Sequence, residues 1–267
     1  MNASDAMFLP DVQSHTDSRN LALQRVGIKD LSIPVQIEGA DGIVQSSIAK
    51  VDMFVALPAE LKGTHMSRFI EVLQLNQQAL SITRMQSLMQ ETLTRLEAQE
   101  GRIEFRMPFF VKKKAPVSGV ESLMDYQLSL RAECLKNHIR VTQKIVVPVT
   151  SLCPCSKKIS AYGAHNQRSH ITISAEVAAT LAPEQLITAA EKSASSEVYG
   201  ILKRPDEKFV TEQAYDNPKF VEDLVRDVAL AVKALPEVVA AQIEAENFEA
   251  IHNHSAYALI EFDKRHP

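Results

Sequence analysis

The residues best suited to chemistry lie in one polar segment, residues 151–170. Cys153 and Cys155 flank Pro154, and histidine and arginine side chains close the segment. Residues two apart in an extended backbone project to the same side, so both thiols are predicted to face one cavity, with Pro154 keeping the backbone extended. A lone cysteine is often a small buried apolar residue, but these two have polar and basic neighbours. The segment is therefore predicted to supply one metal ligand and one reactive thiol.

A second cluster, residues 246–254, carries Glu249, His252 and His254. Glu249 and His252 reach one metal ion if a predicted strand ends in a turn between them, whereas His252 and His254 share a face if the strand continues. A carboxylate, an imidazole and a thiolate together suit Zn²⁺, Fe²⁺ or Mn²⁺. The alternative interpretation is a polar strand end that faces solvent.

A third cluster precedes a predicted helix and combines a glycine with Lys62, His65, Ser67 and Arg68. Backbone N–H groups, the helix dipole and fixed cations together favour an anion such as a phosphate. The alternative is a capped helix start with solvated charges. All three clusters are candidates to converge on one site.

Two further carboxylates are ambiguous on the sequence alone. Glu207 lies in the polar segment 203–208, predicted to be neither a clean helix nor a strand, and becomes a ligand only if a metal needs a fourth donor. Glu222, near the start of a predicted helix, has the two oxygens needed for the N–H donors of a guanine or pterin edge. A surface role that favours the helix dipole is the commoner alternative.

The hydrophobic pattern predicts the elements that position these residues. Residues 1–30 are predicted to form a loosely ordered arm, and residues 112–114 a solvated turn. Residues 31–136 and 137–267 each show the order strand, strand, helix, helix, strand, strand, with a helix break near Ser81 and a helix opened by Pro183. The predicted fold class is α+β, with an antiparallel sheet, helices on one face, and the other face left to the interior of an oligomer.

Composition limits the class of protein. The chain has 267 residues, 45% apolar and 23% charged, with a net charge of -4, which is typical of a globular protein without a nucleic-acid partner. No apolar run approaches the roughly 18 residues of a membrane span, and no secretory signal is visible. Three cysteines fit a reducing compartment. We therefore expect a cytoplasmic protein that has neither a membrane nor a nucleic-acid partner.

Four motifs together resemble the prokaryotic GTP cyclohydrolase of type IB, a member of the tunnelling-fold superfamily: residues 61–69, 153–160, 163–170 and 247–254. The resemblance runs from about residue 30 to the C-terminus. It implies two fused tunnelling-fold ββααββ units that assemble into a barrel-like homotetramer, a dimer of dimers, with sites at subunit interfaces. It also implies hydrolysis of GTP to 7,8-dihydroneopterin triphosphate and formate, the entry step to folate and to 7-deazaguanine (queuosine-type) bases.

The resemblance also implies a role for each candidate residue. One divalent metal (Zn, Mn or Fe) per site would be bound by Cys153, Glu207, Glu249 and His252. Cys155 would be the essential thiol and His165 a proton-transfer residue, while Glu222 would anchor the purine edge. The triphosphate would be bound by Lys62, His65, Ser67, Arg68 and Arg168.

Two alternatives remain open on the sequence. One is a related tunnelling-fold enzyme, such as a nitrile reductase, which needs a thiol nucleophile but no metal. The other is a non-enzymatic scaffold in which a structural zinc is saturated by four protein ligands. Metal content and formate release distinguish the nitrile reductase from the GTP cyclohydrolase. Chelation distinguishes the scaffold, which should unfold, from the enzyme, which should lose activity first and regain it with metal.

Overall fold

The computed structural model describes residue 13 and residues 15–266. The strands are β1 (Leu23–Glu38), β2 (Val44–Leu57), β3 (Gly101–Lys114), β4 (Glu121–Leu135), β5 (His138–Leu152), β6 (Asn166–Val177), β7 (Ser196–Glu197), β8 (Val238–Asn247) and β9 (Ala256–Asp263). The α-helices are α1 (Met66–Leu75), α2 (Ile82–Arg95), α3 (Pro154–Ile159), α4 (Pro183–Ser193), α5 (Arg204–Asp216) and α6 (Val221–Lys233). The segment Ala40–Gly42 forms a short 3-10 helix. No helix among the described residues is long and apolar enough to cross a membrane.

All nine strands belong to one antiparallel sheet in the order β1-β2-β3-β4-β5-β6-β8-β9, and the short β7 pairs with β5. β4 and β5 are joined by a two-residue turn, Lys136 and Asn137, with φ of 49° and 62°. Two successive positive φ angles match the right-handed twist of the flanking strands. The turn therefore continues the sheet from the first four strands into the rest.

One face of the sheet is apolar because alternate residues of its central strands are buried. One row crosses six strands, with each residue paired to the next: Met107, Leu128, Ile145, Ile173, Ile243 and Ile260. The first five of these residues belong to the hydrophobic core, and the half-buried Ile260 packs against it. The core also contains the apolar faces of α1, α2, α4 and α6. Helices on a single face of an antiparallel sheet confirm the predicted α+β architecture.

The opposite face is polar. The next row across the sheet contains charged, hydroxyl and amide side chains: Arg106, Ser129, Lys144, Ser174, Gln242 and Glu261. On this face Arg106 contacts Asp52 at 2.7 Å, and Asp52 also accepts from the main-chain N–H of Asp30 at 2.9 Å. The assignment of this face to the interior of an oligomer stays a prediction.

Two predicted helix boundaries are confirmed. The helical pattern breaks at Ser81, whose side chain caps α2 by accepting from the N–H of Arg84 at 3.2 Å. α4 begins at Pro183, where the missing N–H costs no intrahelical hydrogen bond. In both cases a local signal in the sequence determines where the helix begins.

Three predictions about the elements were wrong. β1 begins at Leu23, so residues 23–30 belong to the sheet rather than to the arm; register shifts in this part of β1 hide its alternation. The rest of the arm lies outside the described residues, except for residue 13 and residues 15–22. β3 continues to Lys114, so residues 112–114 form no turn. The segment predicted to be irregular at 203–208 contributes the first turn of α5.

Candidate active site

Three strand termini define one end of the sheet, here called the Cys153 end. The last residue of β5, Leu152, pairs with the first of β6, Asn166. Ser169 of β6 pairs with the last residue of β8, Asn247. The chain leaves these strands through the two clusters that the sequence analysis singled out. Residues 153–155 and 248–254 are therefore separated by one intervening strand, β6, or roughly 10 Å across the sheet.

The two thiols are not presented by an extended strand as predicted. Cys153 is extended and precedes Pro154, which begins the short helix α3, so Cys155 lies in the first helical turn. The thiols therefore do not share a strand face. The reason is that proline is as compatible with a first helical turn as with an extended chain. Cys153 is partly buried and Cys155 is exposed, and neither forms a disulfide.

The turn after β8 brings Glu249 and His252 together. Glu249 Oε2 lies 3.3 Å from His252 Nδ1, and Glu249 Oε1 accepts a hydrogen bond from Gln167 Nε2 at 2.9 Å. His252 also stacks on His254, with ring centroids 5.3 Å apart. β8 ends at Asn247, so the first of the two geometries considered for this cluster, the turn, is the one observed.

Histidines of the β6 segment occupy different environments. The carbonyl of His165 accepts from the N–H of Cys153 at 3.3 Å, and His165 Nδ1 is buried without a partner among the described residues. His170 packs edge-on against Phe248 with centroids 4.8 Å apart. Burial, followed by the Arg168 guanidinium, lowers the pKa of His170. The unpaired Nδ1 of His165 is therefore an exception to the rule that buried polar atoms are hydrogen-bonded.

Helix α5 runs along the Cys153 end. Glu207 is exposed in its first turn. Its neighbour Asp206 is buried and accepts from the main chain of Val117, Ser118 and Lys203, each at 2.8 Å. At the other end of α5, Tyr215 contacts Lys157 of α3, with Lys157 Nζ 4.1 Å from the ring centroid. Glu207 is about 12 Å along the helix from Tyr215.

Glu222 is exposed in the first turn of α6. The segment that leads into α6 is tied to the Cys153 end, because the N–H of Lys219 donates to the carbonyl of Leu152 at 3.2 Å. Glu222 therefore belongs to the same end of the molecule as the thiols. Its carboxylate has no hydrogen-bond or ion-pair partner among the described residues.

The loop that leads into α1, with Lys62 and His65 before the helix and Ser67 and Arg68 in its first turn, lies at the opposite end of the sheet. It follows Leu57 at the end of β2, and Val55 pairs with Gly101 at the beginning of β3. β5, a 15-residue strand, separates the two ends by roughly 45 Å. Arg68 there contacts Glu97 and the carbonyl of Arg95. The predicted convergence of this loop with the cysteine segment does not occur within one chain.

The remaining candidates for metal binding do not converge on one point in the single chain. Among residues 13 and 15–266, no group of three or more histidine, cysteine, aspartate or glutamate side chains has converged to hold a metal ion. The contact between Glu249 and His252, with the free thiol of Cys153 at the same sheet end, nevertheless supplies carboxylate, imidazole and sulfur. That donor set fits a divalent transition metal.

Sequence analysis missed several residues that organise this end. Ser151, Ser169 and Asn247 are buried on the apolar face and form a chain of hydrogen bonds of 2.6 and 2.7 Å across three strands. Gln167 contacts Glu249 directly, and Asp206 ties the first turn of α5 to Val117 and Ser118. The signal for the serines and Gln167 was the alternation of β5 and β6, which places residues 151, 167 and 169 on the same face as the core.

Solved structures with a similar architecture establish the class of fold. Uricase from Arthrobacter globiformis matches with a TM-score of 0.50 at 8% identity, over 90% of this chain and 92% of that chain. A urate oxidase mutant from Bacillus sp. TB-90 matches at 0.54 with 8% identity, covering 91% and 99%, and uricase from Bacillus fastidious at 0.53 with 10%, covering 91% and 94%. At such low identity these matches show the fold alone. The chain is a tunnelling-fold protein.

Sequence comparison is far more specific. Residues 9–258 match the family described as Type I GTP cyclohydrolase folE2. GTP cyclohydrolase FolE2 of Burkholderia ambifaria is 57% identical over 98% of this chain and 97% of its own length. The protein of the same name from Herminiimonas arsenicoxydans is 58% identical over 96% and 98%. The chain belongs to the Type I GTP cyclohydrolase folE2 family, which confirms the resemblance to type IB.

Proposed function

We propose that the protein is a metal-dependent GTP cyclohydrolase that converts GTP and water into 7,8-dihydroneopterin triphosphate and formate. The observation that carries the proposal is the membership of the whole described chain in the folE2 family, together with the meeting of Glu249 and His252 at the sheet end that bears Cys153 and Cys155. A cytoplasmic location agrees with this activity.

The metal would be held by Cys153, Glu249 and His252, with Glu207 as a fourth ligand. Glu207 lies in the first turn of α5, whereas α5 contacts α3 at its other end, through Tyr215. To reach the metal, Glu207 would therefore need a movement of its helix end or of the facing segments. When bound, a divalent cation supplies Lewis acidity that makes water nucleophilic near neutral pH. Zn²⁺, Mn²⁺ and Fe²⁺ all accept this mixed donor set.

The protein's own residues would orient guanine and move protons. Glu222 accepts from the N–H groups of the purine edge, since its two oxygens match two adjacent donors. Water adds to C8, and the imidazole ring opens to a formamide that a second hydrolysis cleaves to formate. His165, whose Nδ1 has no partner in the described part of the chain, transfers protons during ring opening. Cys155, exposed in α3, serves the later acid–base steps.

The triphosphate would be bound by Lys62, His65, Ser67 and Arg68, with Arg168 from β6. Because the first four residues lie at the far end of the sheet, a second copy of the chain must bring its loop to the Cys153 end. This requirement supports the homotetramer, a dimer of dimers, as the active assembly. Binding of triphosphate would also require Arg68 to exchange its contact with Glu97.

The experiment is incubation of metal-reconstituted protein with GTP, measuring formate and the fluorescent oxidised pterin. Wild-type protein should release formate, and Cys155→Ser should release it at a rate lower by about 100-fold or more, as expected for loss of an acid–base group. Cys134→Ala is the matched control, because Cys134 is buried in β4 far from the Cys153 end. Wild-type protein without formate release, or Cys155→Ser with full release, would refute the proposal.

A nitrile reductase, the other enzyme considered from the sequence, shares only the fold class and the free thiols, and the 57% identity to GTP cyclohydrolase FolE2 argues against it. It would consume a reduced nicotinamide cofactor and release no formate from GTP. A structural zinc scaffold would unfold on chelation, whereas the cyclohydrolase should remain folded, lose activity and regain it with added metal.

A further inference from the structure

Gln167 contacts the candidate metal centre without being one of its predicted ligands. It lies near the beginning of β6, between the strand that leads to Cys153 and the strand that leads to Glu249. Its Nε2 donates to Glu249 Oε1 at 2.9 Å, while the other oxygen of Glu249 faces His252. Gln167 therefore holds one oxygen of the carboxylate and leaves the other directed toward the histidine.

The orientation of the Gln167 amide follows from chemistry. An ionised carboxylate only accepts hydrogen bonds, so the NH₂ group of the amide must face Glu249. The amide oxygen then points away, where it is buried without a donor in the described part of the chain. A buried acceptor without a partner is costly. An apolar side chain would avoid this cost, so the contact with Glu249 explains why glutamine is present.

We propose that Gln167 is a positioning residue of the active site, which fixes the Glu249 carboxylate so that it is ready to bind the metal together with His252. This inference rests on the proposed function, because it takes Glu249 and His252 as ligands. The Glu249 side chain is 14% exposed and His252 is 54% exposed. The histidine is therefore free to adjust, and the hydrogen bond from Gln167 supplies the rigid half of the pair.

The test is a Co²⁺ titration of the apoprotein, followed through the thiolate-to-cobalt absorption band, on wild type, Gln167→Met and Gln143→Met. Methionine keeps the length of the side chain and removes the donor. Gln143, on β5, is the matched control, because it is a buried glutamine on the same face of the sheet as Gln167. Its Nε2 has no partner in the described residues, and it lies about 26 Å along the sheet from Gln167.

Gln167→Met should weaken Co²⁺ binding by about 10- to 100-fold, the range for residues that orient metal ligands. Gln143→Met should bind Co²⁺ as wild type does, and the thermal transitions of both apo variants should remain cooperative. Equal Co²⁺ affinity of Gln167→Met and wild type, or an equal loss in both variants, would overturn the inference while leaving formate release by wild type intact. A wild-type protein that binds no Co²⁺ and releases no formate would instead overturn the proposed function and this inference together.

Discussion

The main-chain N–H of Cys153 donates to the carbonyl of His165 at 3.3 Å. This bond closes the loop that contains α3 and joins the end of β5 to the beginning of β6. A candidate metal ligand and a candidate proton carrier are therefore held by the same backbone contact. Each residue reaches the site from a rigid strand end, which is the arrangement that gives a precise catalytic geometry.

Mixed assemblies test whether a second chain completes the site. Arg68→Ala and Cys155→Ser should each be inactive alone, because each removes one part of every site. When they are unfolded together and reassembled, about a quarter of the sites should combine an intact Arg68 from one chain with an intact Cys155 from another. Formate release by the mixture is the measurement. Activity that stays at the level of the separate variants would contradict a site shared between two chains.

The hydrogen bonds that join Ser151, Ser169 and Asn247 at the ends of three strands should affect activity as well as stability. Ser169 donates to Asn247, so its only hydroxyl hydrogen is used and Ser151 must be the donor to Ser169. Ser169→Ala breaks both bonds and is expected to lower the free energy of unfolding by about 1–3 kcal/mol and to reduce kcat more than KM.

The control for this prediction is Ser193→Ala. Ser193 is also buried, but it bonds only to the carbonyl of Ala189 within α4. Denaturant unfolding and steady-state kinetics should show a loss of stability in both variants and a loss of kcat in Ser169→Ala alone. Unchanged kcat in Ser169→Ala would assign the chain of hydrogen bonds a purely structural role.

Neighbouring lysines of β3 should differ sharply in their effect on stability. Lys113 is 8% exposed and contacts Glu191 at 2.7 Å and Glu197 at 2.6 Å, whereas Lys112 is 65% exposed. Lys113→Met leaves two carboxylates without their cation and should cost about 3–5 kcal/mol. Lys112→Met should change the free energy of unfolding by less than about 0.5 kcal/mol. Urea unfolding of both variants is the measurement, and equal effects would contradict the burial of Lys113.

Acid should destabilise the protein partly through Asp52. The hydrogen bond from Arg106 lowers the pKa of this carboxyl, so its charged form stabilises the folded state. The contribution is complete above the unfolded-state pKa, about 3.9, and is lost as the pH falls through the lower folded-state value. Asp52→Asn should therefore be less stable at pH 7 and lose less stability between pH 5 and 3.

Asp125→Asn, an exposed change on β4, is the control for this pH dependence. Chemical denaturation at a series of pH values gives the free energy of unfolding as a function of pH. This free energy should fall in parallel for the control and wild type as the pH decreases, and should fall less for Asp52→Asn. A smaller fall in the control alone would contradict the role of the Arg106 contact.

The sequence was sufficient where a local rule determines structure. Ser81 and Pro183 mark helix starts through capping and backbone geometry, and strict alternation identified β6. It was misleading where two local rules compete. Pro154 suits both an extended chain and a first helical turn, and in the structure it begins a helix, as Pro183 does.

Long-range contacts account for most of what could not be predicted. The first turn of α5 is anchored by Asp206, which accepts hydrogen bonds from residues almost ninety positions earlier in the chain. Lys113 is drawn inward by Glu191 of α4 and Glu197 of β7. The separation of Arg68 from Cys153 depends on the antiparallel order of the strands, which determines the end of the sheet at which each loop emerges.

The central claim is that Cys153, Glu249 and His252 bind one catalytic divalent metal. The most direct measurement is the metal content and formate release of reconstituted wild type, Cys153→Ala and His252→Ala, each assayed with GTP. Wild type should retain one metal per chain, and both variants should lose it together with all but about one hundredth of the formate release. Either variant retaining the metal and the wild-type rate would contradict the claim.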